Sequence, residues 1–492
     1  MTASQRPLWR RALEGTAAYS AAILLGRAAS FFLLPLYTRY LSPADYGVLE
    51  IVDFTMFMLA AVIGVSIAGD ALFYFHARLQ GQARIRASQT VLVAAIGISV
   101  SGFLLIQLLA PQLSTWFFRT PDFALALRIA ATAFLFSPPS DAFLCYLRAV
   151  EKTTVFMSFA LFRLAASIAL NVVLLVVFKL GLYAMLVSTL TVNTIVFTAL
   201  AFYCMRHMRG WAGFDLDILK QVARYSLPIG VSSIAMLTVH YGDRFFLSRY
   251  VSLTEIGIYA LAYKLGMMLN YLNSPFQMFW RSQVYNIIDS HDGDQVFVKV
   301  FMYLEILFVT VAFGLALFAA PVIQLLSAHA FWGAAAFVPF LVAAYAFSGL
   351  EYHMQSALLI EAKTRKIMLS TLSGVVVCVS CYAFAIPRFG VWGAVAATVL
   401  AFSTMFAVTF TLAQRQHRRP FSLAKIAILP ACAVALVLLR SLAGPSVGIQ
   451  GIAISTLFFL ALPALLLSLP VYSEERDLSF RVTRKLASYL AR

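Results

Sequence analysis

Three basic residues sit where a basic side chain is least expected. Arg27, Arg163 and Lys264 each fall inside a run of apolar residues long enough to cross a bilayer, and a charge at that depth costs about 2.5–3.5 kcal/mol on insertion scales. Such groups face protein or water, not lipid. Cations gathered in a wet hollow would bind an anion, most naturally a phosphate or diphosphate, because Arg and Lys are the usual partners of phosphate oxygens. Tyr259, Tyr263 and Asn270 flank Lys264. The two tyrosines are four residues apart and share a helix face, which could stack on sugars and hydrogen-bond hydroxyls; ordinary tyrosine packing is the competing reading. Arg163, Ser167 and Asn171 follow an i, i+4, i+8 path, a polar stripe that lines either a helix contact or water.

Acids are scarce at the same depth. Asp53 is the one deep carboxylate available to those cations, so the reading is a cavity with surplus positive charge; structural pairing between helices is the alternative. Asp141, Asp243, Glu305 and Glu351 also lie within apolar runs. Asp243 beside Arg244 suggests a local charge pair. Arg128 and Arg244 fall nearer the outer ends of their runs, where a long side chain can reach the headgroups. Asp243, Arg244, Arg128 and Asp141 are therefore noted together as gating or charge-pair candidates.

Other chemistry is not written into the chain. There is no GxxxxGK[ST] phosphate loop, which argues against ATP hydrolysis. Cys378 and Cys381 form a CxxC inside an apolar run without a second pair, so they read as packing residues and not as a metal or redox site. No HExxH occurs among the seven histidines. We expect no metal, no cofactor and no enzymatic activity. The longest interhelical loop, expected at about 281–298, is too short for a catalytic domain.

The elements that hold these residues follow from composition. Of 492 residues, 62% are hydrophobic and 12% charged, against about 25% charged in soluble domains. Apolar runs of about 20 residues mark bilayer crossings, and they fall near 17–37, 48–69, 90–110, 123–145, 154–178, 181–204, 223–247, 255–278, 299–319, 334–358, 367–386, 391–413, 424–440 and 449–470. The expected fold is thus all-α and polytopic, with about 14 transmembrane helices. The first run follows Arg6, Arg10 and Arg11 and lacks a small-residue cleavage pattern, so it reads as a retained helix. Basic residues concentrate in the even-numbered loops and both tails, among them Arg78, Arg84, Arg86, Arg148, Lys152, Arg365, Lys366, Arg418 and Arg419. By the positive-inside rule both termini are cytoplasmic. Topology accounts for most of the net charge of +16, leaving nucleic-acid binding without support.

The chain also repeats itself. "YTRYLSPADYGVLE" from Tyr37 returns as "LSRYVSLTEIGIYA" from Leu247, pairing Arg39 with Arg249, Ser42 with Ser252, Asp45 with Glu255 and Gly47 with Gly257 at an offset of 210. Lys152–Thr153 answers Lys363–Thr364 at 211, and Gly181 answers Gly390 at 209. Six helices separate the copies, an even number, so both insert the same way. We expect two pseudo-symmetric six-helix lobes, residues 1–215 and 216–420, related by an axis along the membrane normal, as in transporters that rock about a cleft. Residues 421–492 form an additional helix pair and a basic cytoplasmic tail.

"LPLYTRYLSPADYGVLE", its echo in the second copy, and the "Gly, hydrophobic, aromatic, Gly/Ala" starts after Gly181 and Gly390 resemble the oligosaccharide flippases of the multidrug/oligosaccharidyl-lipid/polysaccharide (MOP) exporter superfamily. The resemblance implies a V-shaped pair of lobes in a bacterial inner membrane. It implies transfer of polyprenyl-diphosphate-linked oligosaccharides from the cytoplasmic to the outer leaflet by alternating access, serving lipopolysaccharide or exopolysaccharide synthesis. Membrane lipids, a polysaccharide polymerase and export components are the partners it suggests. In the related lipid II flippase branch, cations of helices 1 and 8 serve the cavity and the last helix pair forms a lipid-tail groove. Arg27 and Lys264 lie on those helices. Outward movement of an anionic headgroup runs downhill by about 2.3 kcal/mol per charge per 100 mV, and an empty cationic cavity would be drawn back inward by the same field. A cation-expelling drug antiporter of the same superfamily is the alternative, and a membrane-integral glycan polymerase or ligase is another.

Overall fold

The computed structural model describes Gly26, Phe31 and residues 33–63, 67–208, 213–288, 290–361, 363–444 and 447–468. Arg27 lies outside the described residues. In a bilayer the backbone must satisfy its own hydrogen bonds, and every regular element among the described residues is helical. In chain order these are α1 (Leu34–Tyr40), α2 (Pro43–Ile63), α3 (Ile67–Arg78), α4 (Gly81–Phe118), α5 (Ala124–Ala149), α6 (Thr153–Val172) and α7 (Leu182–His207). They continue as α8 (Leu216–Tyr241), α9 (Asp243–Tyr250), α10 (Leu253–Gly266), α11 (Met268–Ile288), α12 (Gly293–Leu317) and α13 (Ala319–Leu326). The last are α14 (Val338–Ile360), α15 (Thr364–Phe384), α16 (Ile386–Phe389), α17 (Val391–Gln416), α18 (Leu423–Leu442) and α19 (Gly448–Ser468).

Among the described residues, eight helices are long and apolar enough to cross a bilayer, or nine if the 3-10 helix His329–Ala336 and α14, bent by 53° from each other, are one span. The fourteen expected from the sequence are not all of this uninterrupted kind. Helix α2 carries Glu50 and Asp53, α8 gives way to α9 at Gly242, and α10 to α11 at Met267. Two boundaries also move outward. Helix α4 has 38 residues, about 57 Å at 1.5 Å per residue, far beyond the run expected at 90–110. Helix α11 continues to Ile288 and α12 starts at Gly293, so the expected loop at 281–298 shrinks to residues 289–292. Hydropathy reports depth in the apolar layer, and a helix can keep turning after it has left that layer.

Contacts divide the chain into two compact units, Met1–Ala260 with Val379–Ala394, and Leu261–Cys378 with Val395–Arg492. Lipid tails are as apolar as Leu, so close packing and hydrogen bonds hold such helices together. The first unit packs Leu72, Phe75, Val91, Phe143, Leu147 and Val196 from α3, α4, α5 and α7 into one core. In the second, Val309, Phe313 and Leu317 of α12 meet Leu429, Ala433 and Leu462 of α18 and α19. Buried Arg440 ties that last helix pair, donating to Ser455 Oγ at 3.0 Å and to the Gly451 carbonyl at 3.1 Å.

The repeated stretches adopt matching local geometry. Ser42 caps α2 with a reciprocal box: its backbone N–H donates to Asp45 Oδ2 at 3.0 Å and its Oγ accepts from the Asp45 N–H at 3.1 Å. Ser252 and Glu255 do the same for α10, at 2.9 and 3.3 Å. Each box satisfies N–H groups that a helix start leaves open. Lys152 N donates to Leu147 O and Lys363 N to Leu358 O, at 2.8 and 2.9 Å. Gly181 and Gly390 share a left-handed φ, 56° and 53°, which glycine adopts without a Cβ penalty. Within the first unit the starts of α2 and α10 cross reciprocally: a Cβ on Gly47 would strike the Leu253 carbonyl, and one on Gly257 the Pro43 carbonyl.

Candidate functional site

Inside the first unit, α2, α5 and α7 enclose a pocket of about 400 Å³. Its polar lining is Asp53 from α2, Ser137 and Asp141 from α5, and Thr189 and Asn193 from α7. Phe57, Phe134 and Pro138 supply apolar wall. Prolines 138 and 139 lie inside α5. They deny helical donors to the carbonyls of Phe134 and Leu135, and irregular backbone at membrane depth is tolerated where it lines a cavity.

Arg163 reaches this wall from α6. Its Nη1 donates to Asp141 Oδ1 at 2.8 Å, and its Nη2 lies 3.5 Å from Ser137 Oγ. The side chains remain 29% and 57% exposed, so solvent screens the pair and its net worth is about 0–1 kcal/mol. Such a pair can open for a competing ligand. Among the described residues this corner holds two acids, Asp53 and Asp141, and one base, Arg163. Asp141 finds Arg163, not Arg128, which is exposed and offers only its backbone carbonyl to Gln107.

Asp243 and Arg244 do form the charge pair that adjacency suggested, with Nη1 to Oδ1 at 2.6 Å. The snorkelling expected of Arg244 does not occur. Its side chain is 1% exposed, stands 3.8 Å from Glu50 Oε2, and has the rings of Tyr241 and Tyr259 at 5.2 and 5.3 Å. Tyr259 donates to Asp243 Oδ2 at 2.5 Å and is fully buried. Asp243, Arg244 and Tyr259 are thus closed to solvent. Tyr263 is also buried, its ring edge-on to Tyr345 at 5.7 Å, so the two tyrosines of the expected sugar-stacking face are committed to protein contacts. Lys264 is exposed and Asn270 half-buried past the break at Met267. Asn171 of the polar stripe donates to Tyr37 Oη at 2.9 Å.

The sequence reading passed over Glu50 as a partner for Arg244. Its signal was present, since Glu50 and Asp53 are three apart and share a face of α2. It also passed over Thr189 and Asn193, polar residues in an otherwise apolar helix. In the second unit, Glu351 of α14 is buried, accepting from Gln355 at 2.7 Å and from Thr409 at 2.9 Å. Thr409 in turn lies 2.6 Å from Ser370 Oγ. Among the described residues no group of His, Cys, Asp and Glu is arranged to hold a metal.

A multi-pass helical membrane protein with this architecture has the fold of MOP-superfamily transporters. The lipid II flippase MurJ in an inward closed conformation superposes with a TM-score of 0.75 at 12% identity, over 95% of this chain and 99% of that one. An inward-facing multidrug resistance MATE family transporter of the MOP superfamily gives 0.66 at 14% identity, over 82% and 98%. A MOP superfamily transporter from Pyrococcus furiosus gives 0.52 at 15%, over 82% and 95%. No curated protein sequence matches the chain. The chain belongs to the polysaccharide biosynthesis protein family, whose sequence model matches residues 12–279.

Proposed function

We propose that this protein is a flippase that moves a polyprenyl-diphosphate-linked oligosaccharide from the cytoplasmic to the outer leaflet of a bacterial inner membrane. In this reading both termini are cytoplasmic, and residues 1–215 and 216–420 act as lobes that rock in alternating access. The observation that carries it is the half-exposed Arg163–Asp141 pair at a polar pocket of a polysaccharide biosynthesis family member. A diphosphate offers Arg163 a stronger, bidentate partner than one carboxylate oxygen, so the substrate can displace Asp141. Arg27 and Lys264 contribute further positive charge along the path of the headgroup.

The lipid tail has a natural berth in the second unit. An apolar groove of about 260 Å³ runs between α12, α14 and α18, lined by Phe313, Phe340, Phe347, Pro430 and Val434. A polyprenyl chain would lie there while the sugars cross. Membrane lipids and the polymerase that consumes the delivered oligosaccharide are the partners of this activity.

Asp53 and Asp141 in one pocket favour a second reading, a cation antiporter, since two carboxylates suit a proton or a cationic solute. A leaflet-accessibility assay in proteoliposomes separates the two. A flippase exposes a defined polyprenyl-diphosphate sugar to an external enzyme at a rate well above protein-free vesicles, and Arg27→Ala or Lys264→Ala abolishes this without loss of membrane insertion. Cation-driven dye export with no glycolipid movement would establish the antiporter instead.

A further inference from the structure

A second polar cavity lies in the first unit, apart from the Asp53–Asp141 pocket and sharing none of its lining residues. It measures about 770 Å³ and sits at the Arg-rich end, where α3, α4, α5 and α7 converge. All four helices bring a cation or an imidazole to its wall: His76 from α3, Arg84 from α4, Arg148 from α5 and His207 from α7. Neither guanidinium has an ion-pair partner among the described residues.

These groups are held, not loose. The Arg84 Nε donates to the Leu79 carbonyl at 2.7 Å, which fixes the fork and leaves its outer nitrogens for another acceptor. Arg148 lies with its guanidinium carbon 5.3 and 5.4 Å from the rings of Phe73 and Phe156. Its Nη2 donates to Cys145 Sγ at 2.9 Å. Two buried polar atoms at this cavity have no hydrogen-bond partner, Arg148 Nε and His76 Nδ1. A buried donor left unsatisfied costs about 1–3 kcal/mol, a cost that falls here on Arg148 Nε; the His76 ring nitrogen is donor or acceptor according to its tautomer. Glu151 is the one acid in the lining; it is exposed, beyond the end of α5 in a left-handed conformation.

We propose that this cavity binds a phosphate-bearing polar group, a lipid phosphate headgroup or a free diphosphate. Donors converging from separate helices suit a tetrahedral oxyanion better than a planar carboxylate, and planar guanidinium forks match phosphate oxygens. The volume exceeds what a bare ion needs and admits a substituent, with Ser88, Tyr146 and His207 also among its polar walls. The site abuts the transport pocket through one contact: Cys145, which accepts from Arg148, also lines the Asp53–Asp141 pocket one helical turn away. Occupancy would therefore be felt in that pocket, though binding itself does not depend on transport.

Isothermal titration of the full chain in phosphatidylcholine nanodiscs, with inorganic pyrophosphate in one arm and dioctanoyl phosphatidic acid in the other, tests this. Saturable binding of pyrophosphate assigns the site to free phosphates, and binding of phosphatidic acid alone assigns it to a headgroup. In either case Arg148→Gln and Arg84→Gln should each weaken binding by about tenfold or more, since each tenfold corresponds to about 1.4 kcal/mol. Arg148→Lys should restore part of it, and Arg206→Gln on the same end should leave it within about twofold. Melting temperatures identify any variant that fails to fold, and the other arginine then carries the test. No binding in either arm, or an equal loss in Arg206→Gln, would overturn the proposal in favour of a diffuse basic surface.

Discussion

Asp141 on α5 and Glu351 on α14 are 210 residues apart, the spacing that relates Arg39 to Arg249. Their surroundings differ. Asp141 is exposed in a pocket and paired with Arg163 of the next helix; Glu351 is buried against neutral donors, Gln355 and Thr409. The position that answers Arg163 in the second copy is Gly374 at the local offset of 211, where a Cβ would overlap Met405. Arg163 gives Asp141 an open, charged corner, whereas Gly374 leaves room for Met405 and Glu351 has the neutral donors Gln355 and Thr409.

The places where the copies agree should be the least tolerant. Gly257→Val forces a branched side chain into the Pro43 carbonyl, and Gly47→Val into that of Leu253; backbone atoms cannot step aside. Both variants should abolish the monodisperse peak in detergent size-exclusion chromatography, and to the same degree. A tolerated substitution at either glycine would break the reciprocity of that crossing.

Where the copies differ, stability should differ next. Glu351→Leu strips a partner from buried Thr409 and half-buried Gln355 and should destabilise by about 1–3 kcal/mol, whereas Asp141→Leu removes a screened pair and should cost under about 1 kcal/mol. Thermal unfolding of the purified variants measures both, and equal losses would mean the two environments are not distinct.

How far this was legible beforehand depends on the kind of signal. The repeat could be read because capping residues and left-handed glycines are local requirements: Ser42 with Asp45, Ser252 with Glu255, Gly181 and Gly390 each do their work within a few residues. The Asp243–Arg244 pair was legible for the same reason. The Asp141–Arg163 pair was not, because it joins two helices across 22 residues, and spacing along one helix says nothing about a partner on another. Burial of Arg244 was missed because depth along a run does not reveal which face meets protein; Glu50 on α2 was the clue. The overextended loop at 281–298 came from equating the end of apolarity with the end of a helix.

The capping boxes, like the Asp141 pair, should carry small effects. Ser42→Ala and Ser252→Ala should each cost about 0.5–2 kcal/mol, seen as matched small drops in melting temperature; a loss confined to one would show that the two boxes bear unequal loads.

In the proposed cycle Arg163 leaves Asp141 to hold a diphosphate, and the affinity of the purified protein for geranyl diphosphate, a short soluble polyprenyl diphosphate, tests this step. Removing the competing charge with Asp141→Asn should tighten binding by about tenfold, and Arg163→Ala should weaken it by at least as much, each tenfold being about 1.4 kcal/mol. Affinities unchanged from the parent protein in both variants would contradict the account.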